Sequence, residues 1–318
     1  MEKYNNLLEL LKEKRPHVRI NSIQSYILYL QNLHEHMFNT KKFEDLKWLI
    51  NYDKVIKNID HKSFLTKRNI LNAIIVALMA VDADKDLLEK YSILRNEFNQ
   101  QYLDNNKNGV KNVNQEKNML TREELDEVID DYGQLIKVLK IIDKDKLTIK
   151  QYNQLQLYVI LRFHQHIALR NDLASVIWMS QKDFNKLTED QQKEFNIYII
   201  DSGKLILNHY KTSSKYGMNI IDIPDSLNKL LRFMIKKNPH PNPTHELLLK
   251  SNGTSYSKGE YSNLLTKFFK RTVGKSIGTT ILRKIYLEKY SDVLAEMKED
   301  AKIMGHSLGV QQSVYIPK

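Results

Sequence analysis

A polar stretch about a third of the way along the chain separates two patterns of hydrophobic residues. Residues 104–117 read DNNKNGVKNVNQEK and show no apolar period. Such a segment buries too little apolar surface to join a core, so we interpret it as a linker. Structure is predicted to resume at Thr121, because Thr121 and Glu124 have the spacing of a capping box. The 318 residues thus predict a first domain over 1–103, a linker over 104–117 and a second domain over 118–318.

The first domain is predicted to be entirely helical. Ser22 and Thr66 are expected to cap two helices whose apolar residues recur every three or four positions. A third helix is predicted between Leu87 and Tyr102. The residues expected to form the three apolar faces are Ile23, Tyr26, Ile27, Leu30 and Leu33, then Ile70, Ala73, Ile74, Ala77 and Leu78, then Leu87, Leu88, Tyr91, Leu94, Phe98 and Tyr102.

The second domain is predicted to be helical around a small antiparallel β-meander. Three β-rich runs are separated by turn residues, which favours three consecutive strands. The fold class is therefore mainly α with one small β-meander. The predicted strands are 195–200, 204–210 and 218–223, and helices are expected at 226–237, 258–271, 279–290 and 293–304.

The charge balance favours a polyanionic partner. There are 49 Lys+Arg against 38 Asp+Glu, a formal net charge of +11 and a pI near 9.3. Counterion release would drive such a chain onto phosphate backbones. The alternative is a lysine-rich composition without functional meaning, since Asn and Ile are abundant as well.

Several classes of chemistry are not expected. The chain has no cysteine, which excludes disulfides, thiolate metal sites and thiol catalysis. It contains no GxGxxG, P-loop or HExxH motif. His164 and His166 are two positions apart and cannot share a metal on a helix, and His240 and His245 bracket a loop. We therefore expect no metal and no cofactor.

The location is expected to be intracellular. The longest apolar segment, Ile70 to Val81, is too short to cross a bilayer. The first fifteen residues form a charged amphipathic helix candidate without the apolar core of a signal peptide. These features predict a soluble protein.

The strongest pattern lies in the C-terminal third. Arg283 follows Leu282 near a predicted helix start, Gly305-His306-Ser307 contains a histidine 23 residues later, and Tyr315 comes nine residues after His306. This order and spacing resemble the C-terminal signature of the tyrosine recombinases, the phage-integrase-like family.

Two upstream segments resemble further elements of that family. Arg170 lies in the segment 167–173, ahead of an apolar strand entry, where the family has its first arginine. Lys211, followed by Thr212 at the end of the second predicted strand, matches the lysine that the family carries on a β-hairpin. Lys204 and Lys215 flank the same hairpin and stay open as alternatives.

The resemblance implies a role for each residue. Tyr315 would attack a DNA phosphate and form a covalent 3′-phosphotyrosyl intermediate, which stores the bond energy without ATP. Arg170 and Arg283 would present guanidinium forks to the non-bridging oxygens. Lys211 would protonate the leaving 5′-hydroxyl, and His306 would hydrogen-bond the phosphate.

Three positions depart from the family pattern. Thr280 stands where many relatives carry a histidine that accepts the tyrosine proton, and a threonine is not a base near neutral pH. Leu173 stands where many carry an acidic residue; Asp172 is adjacent, but on a helix its side chain would point elsewhere. Few residues follow Tyr315, so docking of a C-terminal tail onto a neighbouring subunit is not expected.

The resemblance also implies the partners. The helical core-binding domain and the catalytic domain would close around double-stranded DNA as a two-part clamp, and four copies would exchange strands through a Holliday junction. Lys14, Arg15, Lys67 and Arg68 are candidate phosphate contacts, with a solvated face as the alternative. The composition suits a site-specific integrase from a virus or mobile element.

Other functions remain open at the level of sequence. A type IB topoisomerase or a telomere resolvase would use the same chemistry with a different outcome. A catalytically idle DNA-binding relative would keep the fold, and the threonine at position 280 leaves room for it. A helical protein-protein scaffold would show little affinity for DNA.

Overall fold

The chain divides into two compact units, residues 1–111 and 112–318, in a computed structural model that describes residues 7–107 and 113–307. Each unit has a large apolar core of its own. Across the described ranges, no helix combines the length and the apolar composition needed to cross a membrane.

The first unit is helical and is built around one buried helix. Helix α4 is buried on nearly all sides, and α2 and α5 pack against it. A helix segment that is apolar all round is stable only inside a core, which accounts for the uninterrupted apolar run of residues 73–80 in its second half. The helices are α1 (Leu7–Lys14), α2 (Ile20–Phe38), α3 (Tyr52–Ile59), α4 (Phe64–Ala80) and α5 (Lys85–Lys107), with a 3₁₀ turn at Lys47–Ile50.

Two predicted helix caps in this unit were wrong. Helix α2 begins at Ile20, so Ser22 lies inside its first turn. Helix α4 begins after Ser63, whose hydroxyl accepts a hydrogen bond from the backbone N–H of Thr66. Helix α2 therefore starts after Arg19 without a side-chain cap, whereas α4 uses the earlier of two hydroxyl residues, so that Phe64 and Leu65 join the helix.

Helices extend into the segment interpreted as a linker. Helix α5 continues to Lys107, and a further helix, α6, spans Val113–Asn118. Extending an existing helix fixes only one residue per added hydrogen bond, so a polar sequence can continue it without an apolar face. The side chain of Gln100 donates to Asp104 at 2.9 Å along this extension.

The second unit is organised around α8. Its start is fixed by a capping box between Thr148 and Gln151, and that of α7 by the predicted box between Thr121 and Glu124. Helices α7, α12 and α14 pack against α8. After α6, the helices are α7 (Arg122–Val138), α8 (Ile149–His166), α9 (Gln181–Phe184), α10 (Glu189–Lys193), α11 (Ser213–Tyr216), α12 (Asp225–Lys236), α13 (Lys258–Val273), α14 (Thr279–Glu288) and α15 (Ser291–Ile303).

The sheet of this unit is mixed, and the prediction of a purely antiparallel meander was incomplete. Strands β2, β3 and β4 lie within the three predicted runs and pair antiparallel in that order. An additional strand, β1, pairs with β2 in parallel. Parallel pairing needs a long connection, here containing α9 and α10, so no local turn signal marks it. The strands are β1 (Val176–Met179), β2 (Asn196–Ile199), β3 (Lys204–Leu207) and β4 (Asn219–Asp222).

A buried histidine joins α8 to α13. His164 is 2% exposed, and its Nε2 lies 2.8 Å from the hydroxyl oxygen of the buried Tyr261. Burial lowers the pKa of His164 from 6.5 to about 4, because a charged imidazole would lose its hydration there. The folded unit therefore holds this side chain neutral.

We expect acid to weaken this unit through His164. Between pH 6.5 and about 4, the unfolded chain binds a proton that the folded unit does not. Neutral His164 therefore costs the folded unit no stability above the unfolded pKa. As the pH falls towards the folded pKa, the free energy of unfolding decreases by up to about 3 kcal/mol. Urea unfolding followed by Trp178 fluorescence in a Trp48→Phe background reports this unit, because the chain has two tryptophans.

The matched control is His164→Gln, which removes the titration. His166, whose pKa is also lowered by burial, is present in both proteins and cancels in the difference. The gap in unfolding free energy between the parent and His164→Gln should narrow as the pH falls. A gap that stays constant over this pH range would contradict the assignment.

Candidate functional site

Arg170 is placed by a short extended segment after α8. The backbone leaves the helix at Ile167, and Arg170 has an extended conformation just before a 3₁₀ turn, Asn171–Ser175. Within that turn, Leu173 and Ala174 are almost completely buried. Their burial holds the turn against the core and fixes the position of Arg170, which is partly exposed.

Arg283 lies beside Arg170. It is carried by α14, whose buried Leu282 and Ile285 anchor the helix in the core. The Nε of Arg283 donates to the carbonyl oxygen of Ala168 at 3.2 Å, a residue 115 positions earlier. Burial, and then the charge of Arg170, lower the pKa of Arg283. The structure thus brings the two predicted arginines together from distant parts of the sequence.

Asp172 supplies negative charge next to this pair, contrary to the helical projection. The residue is 5% exposed, and its charge acts to raise the pKa of Arg283. A 3₁₀ turn has three residues per turn rather than 3.6, which changes the direction in which each side chain points. Leu173, at the position where many relatives are acidic, is a core residue.

Lys258 is a member of the site that sequence reasoning missed. Its Nζ lies 2.8 Å from Oδ1 of Asp172. It is the first residue of α13, which starts at a capping box between Ser257 and Glu260 and packs on the 3₁₀ turn. The sequence held no specific signal for it, because Lys258 is one of many lysines and its partner is 86 positions away.

The threonine that contacts the site is Thr279, one residue before the predicted one. Its hydroxyl donates to Oδ1 of Asn171 at 2.7 Å, and it is buried. This bond ties the start of the helix that carries Arg283 to the residue that follows Arg170. Thr280 is exposed on the first turn of α14.

Lys211 is exposed in the loop that follows β3. A buried amide, Asn196, fixes the start of this loop by accepting hydrogen bonds from the backbone N–H groups of Asn208 and His209 at 2.8 Å each. Tyr210 donates to the carbonyl oxygen of Gly217 and closes the loop.

The two alternative lysines differ from Lys211 in their surroundings. Lys204 opens β3 and pairs in register with Asp222 of β4. Lys215 lies in α11, with its Nζ 5.1 Å from the ring centroid of Tyr216. Neither arrangement selects one lysine as the acid, so Lys211 remains a prediction.

His306 follows the end of α15 at a glycine stop. Gly305 has φ +73°, and the backbone N–H of His306 donates to the carbonyl oxygen of Ala301 at 3.0 Å. This is the pattern of a helix that ends at a left-handed glycine. Nδ1 of His306 lies 3.3 Å from the carbonyl oxygen of Ser307. Tyr315 lies outside the described residues.

The four candidate DNA contacts of the first unit all have partners within that unit. Such contacts reduce their freedom but leave a role in phosphate binding untested. The pairs are Lys14 with Asp82 at 3.7 Å, Arg15 with the sulfur of Met79 at 3.2 Å, Lys67 with Asp60 at 2.7 Å, and Arg68 over the ring of Tyr102 at 4.3 Å.

The arrangement in the second unit can bind an anion. The cluster contains two guanidinium groups, one ammonium and one carboxylate, so it carries a net positive charge. Partial burial strengthens its interaction with an anion, because the effective dielectric constant falls away from bulk water. Guanidinium groups suit the paired oxygens of a phosphate.

Comparisons with known proteins give distant structural similarity and no sequence match. No family model matches the chain, and no curated protein matches it. Among solved structures, the chain is similar to one described as the crystal structure of XerA recombinase. The TM-score is 0.36 and the sequence identity 12%, over 97% of this chain and 92% of that one. Similarity at this level assigns neither a fold family nor an activity by itself.

We expect Thr279→Val to loosen the connection between the two arginine-bearing segments. The substitution removes the hydroxyl that donates to Asn171, at nearly constant volume. The free energy of unfolding should fall by about 1 kcal/mol. Thr280→Val, on the exposed side of the same turn, should change it by less than about 0.5 kcal/mol. Urea unfolding by Trp178 fluorescence compares them, and equal effects would show that the Thr279 bond does not stabilise the unit.

Proposed function

We propose that this protein cuts and rejoins DNA strands by the tyrosine recombinase reaction. The observation that carries the proposal is the proximity of Arg170 and Arg283, since Arg283 donates to the carbonyl oxygen of Ala168, two residues before Arg170, and the charge of Arg170 lowers the pKa of Arg283. Placing two like charges together costs electrostatic repulsion and desolvation. A site that binds an anion recovers this cost, and charge placed in advance is the main lever on phosphoryl transfer.

The reaction begins with attack by Tyr315 on a DNA phosphorus. A bond forms between the phenolic oxygen and phosphorus, and the bond from phosphorus to the 5′-oxygen breaks. The phenol proton passes to water, because Thr280 is not a base near neutral pH. Lys211 donates a proton to the departing 5′-oxygen. Attack by a 5′-hydroxyl on the phosphotyrosine then reverses these steps and rejoins a strand.

The remaining residues bind the phosphate. Arg170 and Arg283 donate to its non-bridging oxygens, where negative charge accumulates in the transition state. His306 donates a further hydrogen bond. The chemistry of these side chains requires no cofactor, because the covalent intermediate keeps the energy of the broken bond.

The wider assembly is proposed from the family resemblance. The partner is double-stranded DNA, which the net charge of +11 favours. The first unit would bind the same duplex as the second, and four copies would pair two sites. Strand exchange between two duplexes, as in an integrase, is the outcome that we propose.

Covalent trapping tests the reaction. Wild-type protein incubated with a random-sequence library of nicked duplexes should yield protein–DNA adducts that survive denaturation, and sequencing them would give the target site. Tyr315→Phe should abolish the adduct. Arg170→Ala and Arg283→Ala should each lower the adduct rate by at least about 100-fold, the usual effect of losing one transition-state donor.

Arg162→Ala is the matched control, because Arg162 lies in the same unit and pairs with Asp130 at 3.7 Å. Its adduct rate should stay within about threefold of wild type. On an intact supercoiled plasmid that carries the recovered site, relaxation without joining of two duplexes would indicate a type IB topoisomerase or telomere resolvase. Binding of DNA without any adduct would indicate an idle relative, and absence of DNA binding would indicate a scaffold.

A further inference from the structure

The buried carboxylate of Asp172 lies two residues after Arg170 in sequence, and its charge acts on Arg283. It is 5% exposed and close enough to Arg283 to raise its pKa. A carboxylate accepts two guanidinium hydrogen bonds in the same geometry as a phosphate. An uncompensated Asp172 would therefore be expected to capture an arginine and lower the affinity of the site for DNA.

The structure gives this carboxylate a different partner. Lys258 binds Oδ1 of Asp172 at 2.8 Å, while Nε of Arg283 donates to the carbonyl oxygen of Ala168. Among the described residues, the ion pair of Asp172 is the one with Lys258. Nε of Arg283 is thus engaged elsewhere, and among the described residues the ion pair of Asp172 is not made with Arg283 or Arg170.

Lys258 also occupies an unfavourable position in its helix. It is the first residue of α13, where the helix dipole disfavours a positive charge. The capping box of that helix uses Ser257 and Glu260 and does not involve Lys258. Its side chain is 51% exposed, whereas that of Asp172 is 7% exposed, so the ammonium reaches inward from the surface to a buried charge.

We infer that Lys258 is a positioning residue that occupies Asp172 and thereby keeps Arg170 and Arg283 available to the scissile phosphate. The inference rests on the proposed function, which supplies the phosphate. Removing Lys258 leaves a buried carboxylate without its cation, and the guanidinium groups turn to it. Removing the carboxylate as well takes away the competitor, so the arginines are released again.

A double-mutant cycle tests this. Lys258→Met should lower the single-turnover adduct rate by at least about tenfold, and Lys258→Arg should keep most of it. The double variant Asp172→Asn/Lys258→Met should recover at least about fivefold over Lys258→Met. Asp172→Asn alone should bind duplex DNA more tightly than wild type at low salt, because the site gains one net positive charge.

Lys250→Met is the matched control. Lys250 pairs with Glu260 at 2.9 Å at the same end of α13 but does not contact Asp172. Its adduct rate should stay within about threefold of wild type.

Three outcomes would overturn the inference. A double variant as slow as Lys258→Met would mean that Lys258 touches the phosphate itself. An Asp172→Asn rate as low as that of Lys258→Met would mean that the ion pair is structural. An adduct rate of Lys258→Met equal to that of wild type would mean that Lys258 has no role in the reaction.

The test remains decisive if one variant is unstable or the proposed function fails. Thermal unfolding of each variant shows whether it folds, and Lys258→Gln replaces Lys258→Met if that protein does not. If wild type binds DNA but forms no adduct, the proposed function fails while duplex affinity still tests the inference. In that case Arg170→Ala should weaken duplex binding in the wild-type background and in the double variant, but should weaken it little further in the Lys258→Met background. Equal losses of affinity in all three backgrounds would reject the inference.

Discussion

Two guanidinium groups placed side by side repel each other, and the second unit is arranged to sustain that repulsion. Burial and the charge of Arg170 both lower the pKa of Arg283, so the charged guanidinium is less stable in the folded unit than in water. Asp172 offsets part of it, and Lys258 in turn balances Asp172. The cluster thus combines three positive groups with the almost inaccessible carboxylate of Asp172, and its net positive charge can bind an anion.

Packing, rather than charge, holds these groups in place. Arg170 follows α8, the helix around which the second unit is built, and Arg283 is on α14, which packs against α8. Apolar residues on both segments are buried to within a few per cent, which stabilises each segment by the transfer of its side chains out of water. The direct bonds from Arg283 to Ala168 and from Thr279 to Asn171 then fix the register of the two segments.

Only some local features were predictable from sequence, since the caps expected at Ser22 and Thr66 were wrong, and several non-local contacts were missed. The capping box at Thr121 depends on two residues three positions apart, and the structure contains it. An apolar strand entry was expected after Arg170, but β1 was left out of the predicted sheet because its parallel partner lies beyond two short helices. Asp172 was projected onto an α-helix, whereas the chain forms a 3₁₀ turn there. Lys258 gave no signal at all, since its meaning comes from a carboxylate 86 positions away and not from its neighbours.

The Gly305-His306 pair shows that a structural and a chemical interpretation of one motif need not compete. Gly305 has a positive φ, a conformation that costs a residue with a Cβ roughly 1 kcal/mol or more, so the glycine serves to end α15. The backbone of the next residue is then bound to the carbonyl oxygen of Ala301, a buried residue. A side chain that must meet a phosphate needs a fixed backbone, and the helix stop supplies one for His306. A C-terminal cap at this position is therefore compatible with the proposed chemistry, and its presence does not argue against a catalytic histidine.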